Sequence, residues 1–359
     1  PDRQFQGGYP AHRVVHARQL VDGHAARERR DHEQQRKPPE SAAVQFGDVQ
    51  HQPAQHQRRE GGALAVTTGA IVMVGGSRGI GRAAARKLSL DGHNVILTAT
   101  TEAAATSVAT GIANETRHPM TGMQLDVLDP ASIHRFAERL PHPVRSVIVG
   151  AVHWPEDRQP QMTDTGLERT FAVNVFGAFR LMQAMTPHLI ASAKTLGEVR
   201  VTLVSSRLHL PGRFGMGPRF DWTDIDLSRR FRPMTAYCNS KLAMIWLARE
   251  ADRRLRSHGV RVNALCPGFV PMAVAERFGL RRQVFMRLLS YMPFATSLDQ
   301  AAAAYAWAAT DPSLAGAGGQ FLADFGESLS SEESRDTDSA ERLWNWCRDC
   351  DEILPSHRP

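Results

Sequence analysis

The chain has 359 residues, 42% of them hydrophobic and 22% charged, with a net charge of +6. There is enough apolar material for a globular core, and an α/β domain of roughly 250 residues plus extensions suits the length. No basic stripe interleaves with aromatics, so nucleic acid is not an expected partner, and no apolar run reaches the ~18 residues of a membrane-spanning helix. Residues 1–62 are dense in Arg, Gln, His, Glu and Pro and lack apolar periodicity. Such a segment cannot offset its ordering entropy by burial, and it is expected to be disordered. Its charges are mixed, as in Arg27-Glu28-Arg29-Arg30-Asp31, which argues against a nucleic-acid arm. It lacks the apolar core of a signal peptide. Starting at Pro1 without a methionine, it reads as the product of a translation start set too far upstream or an artefact, with a true flexible tail as the alternative.

Residues 63–326 read as one catalytic domain. Short apolar runs alternate with longer helical patterns, which predicts βα units and a parallel sheet. The expected strands are Ile71–Val74, Val95–Leu97, Met123–Leu125, Val147–Val149, Val199–Val204, Val260–Leu265 and Gln320–Leu322. The expected helices are Arg82–Leu90, Ala131–Leu140, Leu167–Ala191, Met234–His258 and Leu298–Ala309. Seven strands and right-handed crossovers give a doubly wound sheet with helices on both faces. Residues 327–359 read as a polar linker to about Ala340, followed by a short tail helix containing Trp344, Trp346 and Cys347. That helix is expected to cover the sheet edge or a neighbouring subunit. The four cysteines form no framework, which fits a reducing, cytoplasmic setting. Cys347-x-x-Cys350 has no second pair to complete a zinc site, so no metal is expected.

Two motifs carry chemistry. Val74-Gly75-Gly76-Ser77-Arg78-Gly79-Ile80-Gly81 lies between the first strand and the first helix. Glycines let the backbone approach a pyrophosphate, and the helix N-terminus offers free N–H groups to the anion. The spacing is G-x-x-x-G-x-G, distinct from the G-x-G-x-x-G fingerprint. In Tyr237-Cys238-Asn239-Ser240-Lys241, a phenol and an ammonium stand four residues apart on a predicted helix, on one face. A phenol with an unperturbed pKa of about 10 is a poor acid. A neighbouring ammonium favours the phenolate and brings proton transfer toward working pH.

Together, Gly75-x-x-x-Gly79-Ile80-Gly81 and Tyr237-x-x-x-Lys241 resemble the short-chain dehydrogenase/reductase family, over about Gly69 to Trp344. The long segment from Ser205-Ser206 and His209 to Tyr237, the run Ala236 to Ala243, and Glu341-Arg342-Leu343-Trp344 are most similar to its retinol dehydrogenase-like and protochlorophyllide reductase-like branch. The resemblance implies a Rossmann-like fold. It also implies a hydride transfer between a nicotinamide cofactor and an alcohol or carbonyl group. Tyr237 is then the acid/base, and Lys241 lowers its pKa and holds the nicotinamide ribose. Ser206 orients the substrate oxygen, with Ser205 as the fallback, and Asn174 supports a proton relay. Gly75, Ser77, Arg78, Gly79, Ile80 and Gly81 hold the pyrophosphate. Asp126 and Val127 contact the adenine, although Asp126 equally suits a cap for the helix starting near Pro130. Pro267, Gly268 and Val270 lie against the nicotinamide.

Val95-Ile96-Leu97-Thr98-Ala99-Thr100-Thr101 has hydroxyls and no acid at the strand end, where NAD-specific sites place one for the ribose diol. With Arg78 nearby, this favours NADP(H) over NAD(H). Phe214, Met216, Phe220, Trp222, Phe278, Phe285 and Met292 are candidate walls for a small apolar substrate, or core residues. Three positions depart from the family pattern. Val74 replaces a threonine, Val149-Gly150-Ala151-Val152 replaces Asn-Asn-Ala-Gly, and Met272 stands where a threonine is usual. Homo-oligomerisation is compatible with the family. The rival reading is a non-catalytic nucleotide-binding sensor on the same fold.

Overall fold

A computed structural model describes residues 69–212, 217–271, 280–292 and 295–353. The expectations for residues 1–62, Phe214, Met216, Met272, Phe278 and the Phe285 side chain lie outside the described residues.

The sheet is formed by β1 (Ala70–Val74), β2 (Val95–Ala99), β3 (Met120–Gln124), β4 (Val144–Val149), β5 (Val199–Val204), β6 (Val260–Cys266), β7 (Phe321–Ala323) and β8 (Gly326–Glu327). Their spatial order is β3-β2-β1-β4-β5-β6-β7-β8. The first seven run parallel, as expected, and β8 is a short antiparallel addition at the edge. Every residue of β1 and β2 is buried, so these strands read as continuous apolar runs.

The helices are α1 (Gly79–Leu90), α2 (Glu102–Thr116), α3 (Pro130–Arg139), α4 (Gly177–Leu196), α5 (Pro233–Leu255), α6 (Leu280–Leu289), α7 (Leu298–Thr310) and α8 (Thr337–Ile353). Helices α1, α2 and α7 build the core on one face through Ala84, Leu88, Ala109, Ile112, Ala302 and Tyr305. Helices α4 and α5 cover the other face, where α3 packs on α4 and α8 packs on α5. A turn of α-helix at Arg169–Phe171 and a π-helical segment at Ala172–Phe176 lead into α4.

Three elements differ from the sequence reading. Helix α2 was not expected, because its buried face is Ala105, Ala109, Ile112 and Thr116, nearly all small. The reason lies in Gly122 of β3, where any added Cβ would overlap the Ala105 carbonyl. The helix rides so close to the strand that large apolar residues do not fit. Edge strand β3 begins at Met120 rather than Met123, and its residues are mostly half-buried, so it forms no apolar run.

The stretch expected as a linker begins with the second residue of β8 and carries a 3-10 turn at Glu333–Arg335 and buried Ser330, Ser331 and Ser334. The tail helix has 17 residues and docks on its own chain. Trp344 meets Phe179 edge-on at 5.1 Å, Trp346 meets Phe171 at 5.5 Å, and Arg180 pairs with Asp351.

Candidate active site

The topological switch falls between β1 and β4, and the predicted residues gather at the C-terminal edge of the sheet there. The glycine turn leaves β1 and enters α1. Gly75 has φ +79° and Gly79 has φ +54°, both in the left-handed region that glycine tolerates. A Cβ on Gly75 would come within 2.8 Å of the Ala151 backbone nitrogen, and one on Gly81 would overlap the Gly75 carbonyl oxygen. The turn is pinned to β2 by Thr98, whose Oγ1 accepts the Gly75 N–H at 3.1 Å and whose carbonyl accepts the Gly76 N–H at 3.1 Å. No side chain caps α1 and its first turn holds no acid. Its leading N–H groups and positive dipole end therefore face the turn without a competing carboxylate. This bare, tight cradle fits a dinucleotide pyrophosphate. Ser77 and Ile80 are half-buried beside it, and Arg78 is exposed at the helix start.

Beyond β2, Thr101 caps α2 by accepting the Ala104 N–H. The first acid, Glu102, is turned toward the β3 edge, where it accepts the Gln124 N–H at 3.0 Å and pairs with Arg139. After β3, the cap of α3 is Asp129 rather than Asp126. The Asp126 carboxylate instead accepts the Leu128 N–H at 2.9 Å, beside buried Val127.

Tyr237 and Lys241 lie on α5, and the Lys241 Nζ stands 5.2 Å from the centre of the Tyr237 ring. Lys241 is 2% exposed and donates to the Val204 carbonyl at 3.0 Å. Burial pulls its pKa down to about 8, with a small opposing effect from Cys266. Tyr237 is half-buried and its ring packs on Trp154, centroids 4.2 Å apart.

The two serines after β5 are in different states. Ser205 is buried and donates to the Lys241 carbonyl at 2.7 Å, so its hydrogen is committed. Ser206 is half-buried, and its Oγ accepts the Leu208 N–H at 3.2 Å, which leaves the hydroxyl hydrogen to point elsewhere. Three residues on, buried His209 anchors this loop. Its Nε2 accepts the Ser331 N–H at 3.2 Å, so Nδ1 carries the hydrogen and donates to the Ser206 carbonyl at 2.6 Å. Burial lowers the His209 pKa.

Asn174 sits in the π-helical segment, a geometry frequent at functional sites. Its Oδ1 accepts the His153 N–H at 2.7 Å, while its Nδ2 donates to the His153 carbonyl and to Ser240 Oγ, both at 3.0 Å. Ser240 in turn donates to the Tyr237 carbonyl at 2.7 Å. After β6, Gly268 has φ +94° and lies against Thr296, whose N–H donates to the Phe269 carbonyl at 2.7 Å. Pro267 is half-buried and Val270 is buried. Where Asn-Asn-Ala-Gly would lie, the Gly150 N–H donates to the Val74 carbonyl at 3.0 Å, and the Tyr305 ring fills the space beside it.

Two of the expected substrate walls, Phe220 and Trp222, are half-buried and pack on α5. Phe220, Trp222 and buried Trp246 form one aromatic cluster, with the Arg342 guanidinium 4.5 Å from the Trp222 ring centre. Trp246 is nine residues from Tyr237, on the opposite face of α5. Thr98, His153, Trp154 and Ser240 were not singled out from sequence. Only Ser240, inside the Tyr–Lys motif, offered a signal.

The family described as short chain dehydrogenase matches residues 69–214 and 228–281. Human retinol dehydrogenase 13 is 28% identical over 287 residues, covering 76% of this chain and 82% of that protein. Human WW domain-containing oxidoreductase is 30% identical over 320 residues, covering 84% of this chain and 74% of that one. A Pseudomonas aeruginosa RhlG/NADP active-site complex shares the fold, with TM-score 0.55 and 21% identity over 71% of this chain and 93% of that one. Among the described residues, no helix is long and apolar enough to cross a membrane. With its glycine cradle and its Tyr–Lys pair set on one edge of a parallel sheet, the chain belongs to the short chain dehydrogenase family of NAD(P)-dependent oxidoreductases.

Proposed function

We propose that this oxidoreductase transfers a hydride between NADP(H) and an apolar alcohol or carbonyl substrate, with Tyr237 as acid/base. The observation that carries the reading is the buried Lys241 ammonium, 5.2 Å from the half-buried Tyr237 ring, on the same sheet edge as the glycine cradle. The cofactor would be held by Gly75, Ser77, Arg78, Gly79, Ile80 and Gly81 at its pyrophosphate, by Asp126 and Val127 at its adenine, and by Tyr237, Lys241, Pro267, Gly268 and Val270 around its nicotinamide end. When bound, it supplies or accepts the hydride. Tyr237 gives its proton to the carbonyl oxygen as that oxygen gains charge, and takes it back when an alcohol is oxidised. The Lys241 charge lowers the cost of the phenolate left behind. Ser206 donates a hydrogen bond to the same oxygen and fixes its place. Asn174 holds the loop after β4 and, through Ser240, the turn of α5 that carries Tyr237.

NADP(H) is favoured over NAD(H) because Arg78 is exposed at the start of α1 and Glu102 is turned away and paired. The test is loss of NADPH absorbance with a panel of aldehydes and ketones. Wild type should turn over apolar members. Tyr237→Phe should lose nearly all turnover, at least about a thousandfold, while NADPH binding stays within about twofold. NADPH binding without consumption across the panel would favour a nucleotide sensor instead.

A further inference from the structure

The Tyr237 ring lies against Trp154, an unexpected neighbour from the loop after β4. The centroids are 4.2 Å apart and the planes 47° from one another, so the rings are in direct contact. Trp154 is half-buried.

Its placement is over-determined. The residue before it, His153, is gripped at both N–H and carbonyl by the Asn174 amide. The residue after it is buried Pro155, which restricts the Trp154 backbone to extended conformations. The same Asn174 amide reaches Ser240, and Ser240 reaches the Tyr237 carbonyl. Trp154, His153, Asn174, Ser240 and Tyr237 therefore form a closed circuit of contacts. A side chain held this way from both termini and by its ring acts as a fixed wall.

A carbonyl hydrogen-bonded to the phenol oxygen is attached, through that oxygen, to the ring Trp154 touches. The Trp154 ring, half-buried and in contact with that phenol ring, is then a surface the substituent on the carbonyl carbon can lie against. An aromatic or conjugated substituent gains ring-to-ring attraction there that a saturated group of equal size does not.

We propose that Trp154 is a specificity-determining residue that selects carbonyl substrates, and the matching alcohols, with an aromatic or conjugated group next to the reacting carbon. This rests on the reading of Tyr237 as the acid/base. Asn174 becomes in part a positioning residue that acts through His153 on Trp154.

The test compares kcat/KM for benzaldehyde and cyclohexanecarboxaldehyde, with NADPH, in wild type, Trp154→Phe and Trp154→Leu. Intrinsic reactivity cancels when the aryl-to-cyclohexyl ratio is compared between variants. Trp154→Leu should lower that ratio roughly two- to tenfold, and Trp154→Phe should keep most of it. NADPH affinity should stay within about twofold in both, showing that the cofactor side is intact. Trp154→Met replaces the leucine variant if the latter does not fold. An unchanged ratio in the leucine or methionine variant, or an equal fall with both aldehydes, overturns the proposal alone. Failure of wild type to consume NADPH with either aldehyde or the wider panel, although NADPH binds, overturns the hydride-transfer reading and this inference with it.

Discussion

Around β1 and β2 the site is made of backbone, whereas around β4, β5 and α5 it is made of side chains. On the first side, Gly75, Gly79 and Gly81 shape the turn by having no side chain, and the Thr98 side chain pins it to β2. On the second side, buried asparagines do the holding. Asn174 grips both backbone groups of His153, and Asn239 does the same to Arg219 in the segment before Tyr237. A backbone-made cradle tolerates no added atom but needs few partners. A side-chain network tolerates sequence change at its loops so long as the clamps remain, and the altered Val149-Gly150-Ala151-Val152 segment is consistent with this.

The comparison can be broken most sharply at Lys241. Lys241→Met should reduce turnover by about two to four orders of magnitude and yet raise stability. The sign follows from its pKa, depressed to about 8 from 10.5 by burial. Below pH 8 the folded protein holds a buried charge, and this cost is relieved only as pH rises from 8 toward 10.5. At pH 7 the methionine variant should therefore be more stable by up to about 3 kcal/mol, less whatever the unpaired Val204 carbonyl costs. Urea melts at pH 7 and pH 9 check this. A stability gap between variant and wild type that is the same at pH 9 as at pH 7 would show that the ammonium is not strained by burial.

On the backbone side, Gly81→Ala forces its Cβ onto the Gly75 carbonyl, and neither atom belongs to a flexible side chain. NADPH affinity should fall at least ~100-fold, about 3 kcal/mol, by calorimetric titration, with the circular dichroism spectrum retained. Binding within threefold of wild type would mean the cradle can open. Arg78→Ala is milder, since the exposed guanidinium adds charge without shaping the turn. NADPH should bind wild type about tenfold more tightly than NADH, and the variant should shrink that gap toward one.

The smallest effect belongs to His209, which ties the Ser206 loop to the C-terminal segment. It is held neutral in the fold, below its usual pKa, chiefly by burial. The unfolded chain takes up a proton through about pH 6.5. The stability tied to neutral His209 is therefore full above that pH and lost as pH falls toward the folded value, by at most about 1.4 kcal/mol per pH unit. His209→Gln should flatten the fall in Tm between about pH 7.5 and 5.5. An unchanged slope would assign that acid sensitivity to other groups.

What the sequence determined by itself was whatever chemistry dictates locally. Glycines at the G-x-x-x-G-x-G spacing are required where a turn needs left-handed φ and close backbone approach, so the first βα unit was legible. Tyr237 and Lys241 share a helix, and the 3.6-residue period alone brings them together. Most strands were legible because a parallel sheet buried on both faces demands apolar runs.

Tertiary structure decided the rest, because contacts between distant segments leave no periodic trace. Alanine-faced α2 depends on Gly122 in the next strand. Phe220 and Trp222 face Trp246 because of how their segment folds over α5. Trp154 meets Tyr237, 83 residues away, only because β4 and α5 end at the same edge of the sheet. Ser205 and Ser206 are identical in chemistry, and only burial against Lys241 assigns them different partners.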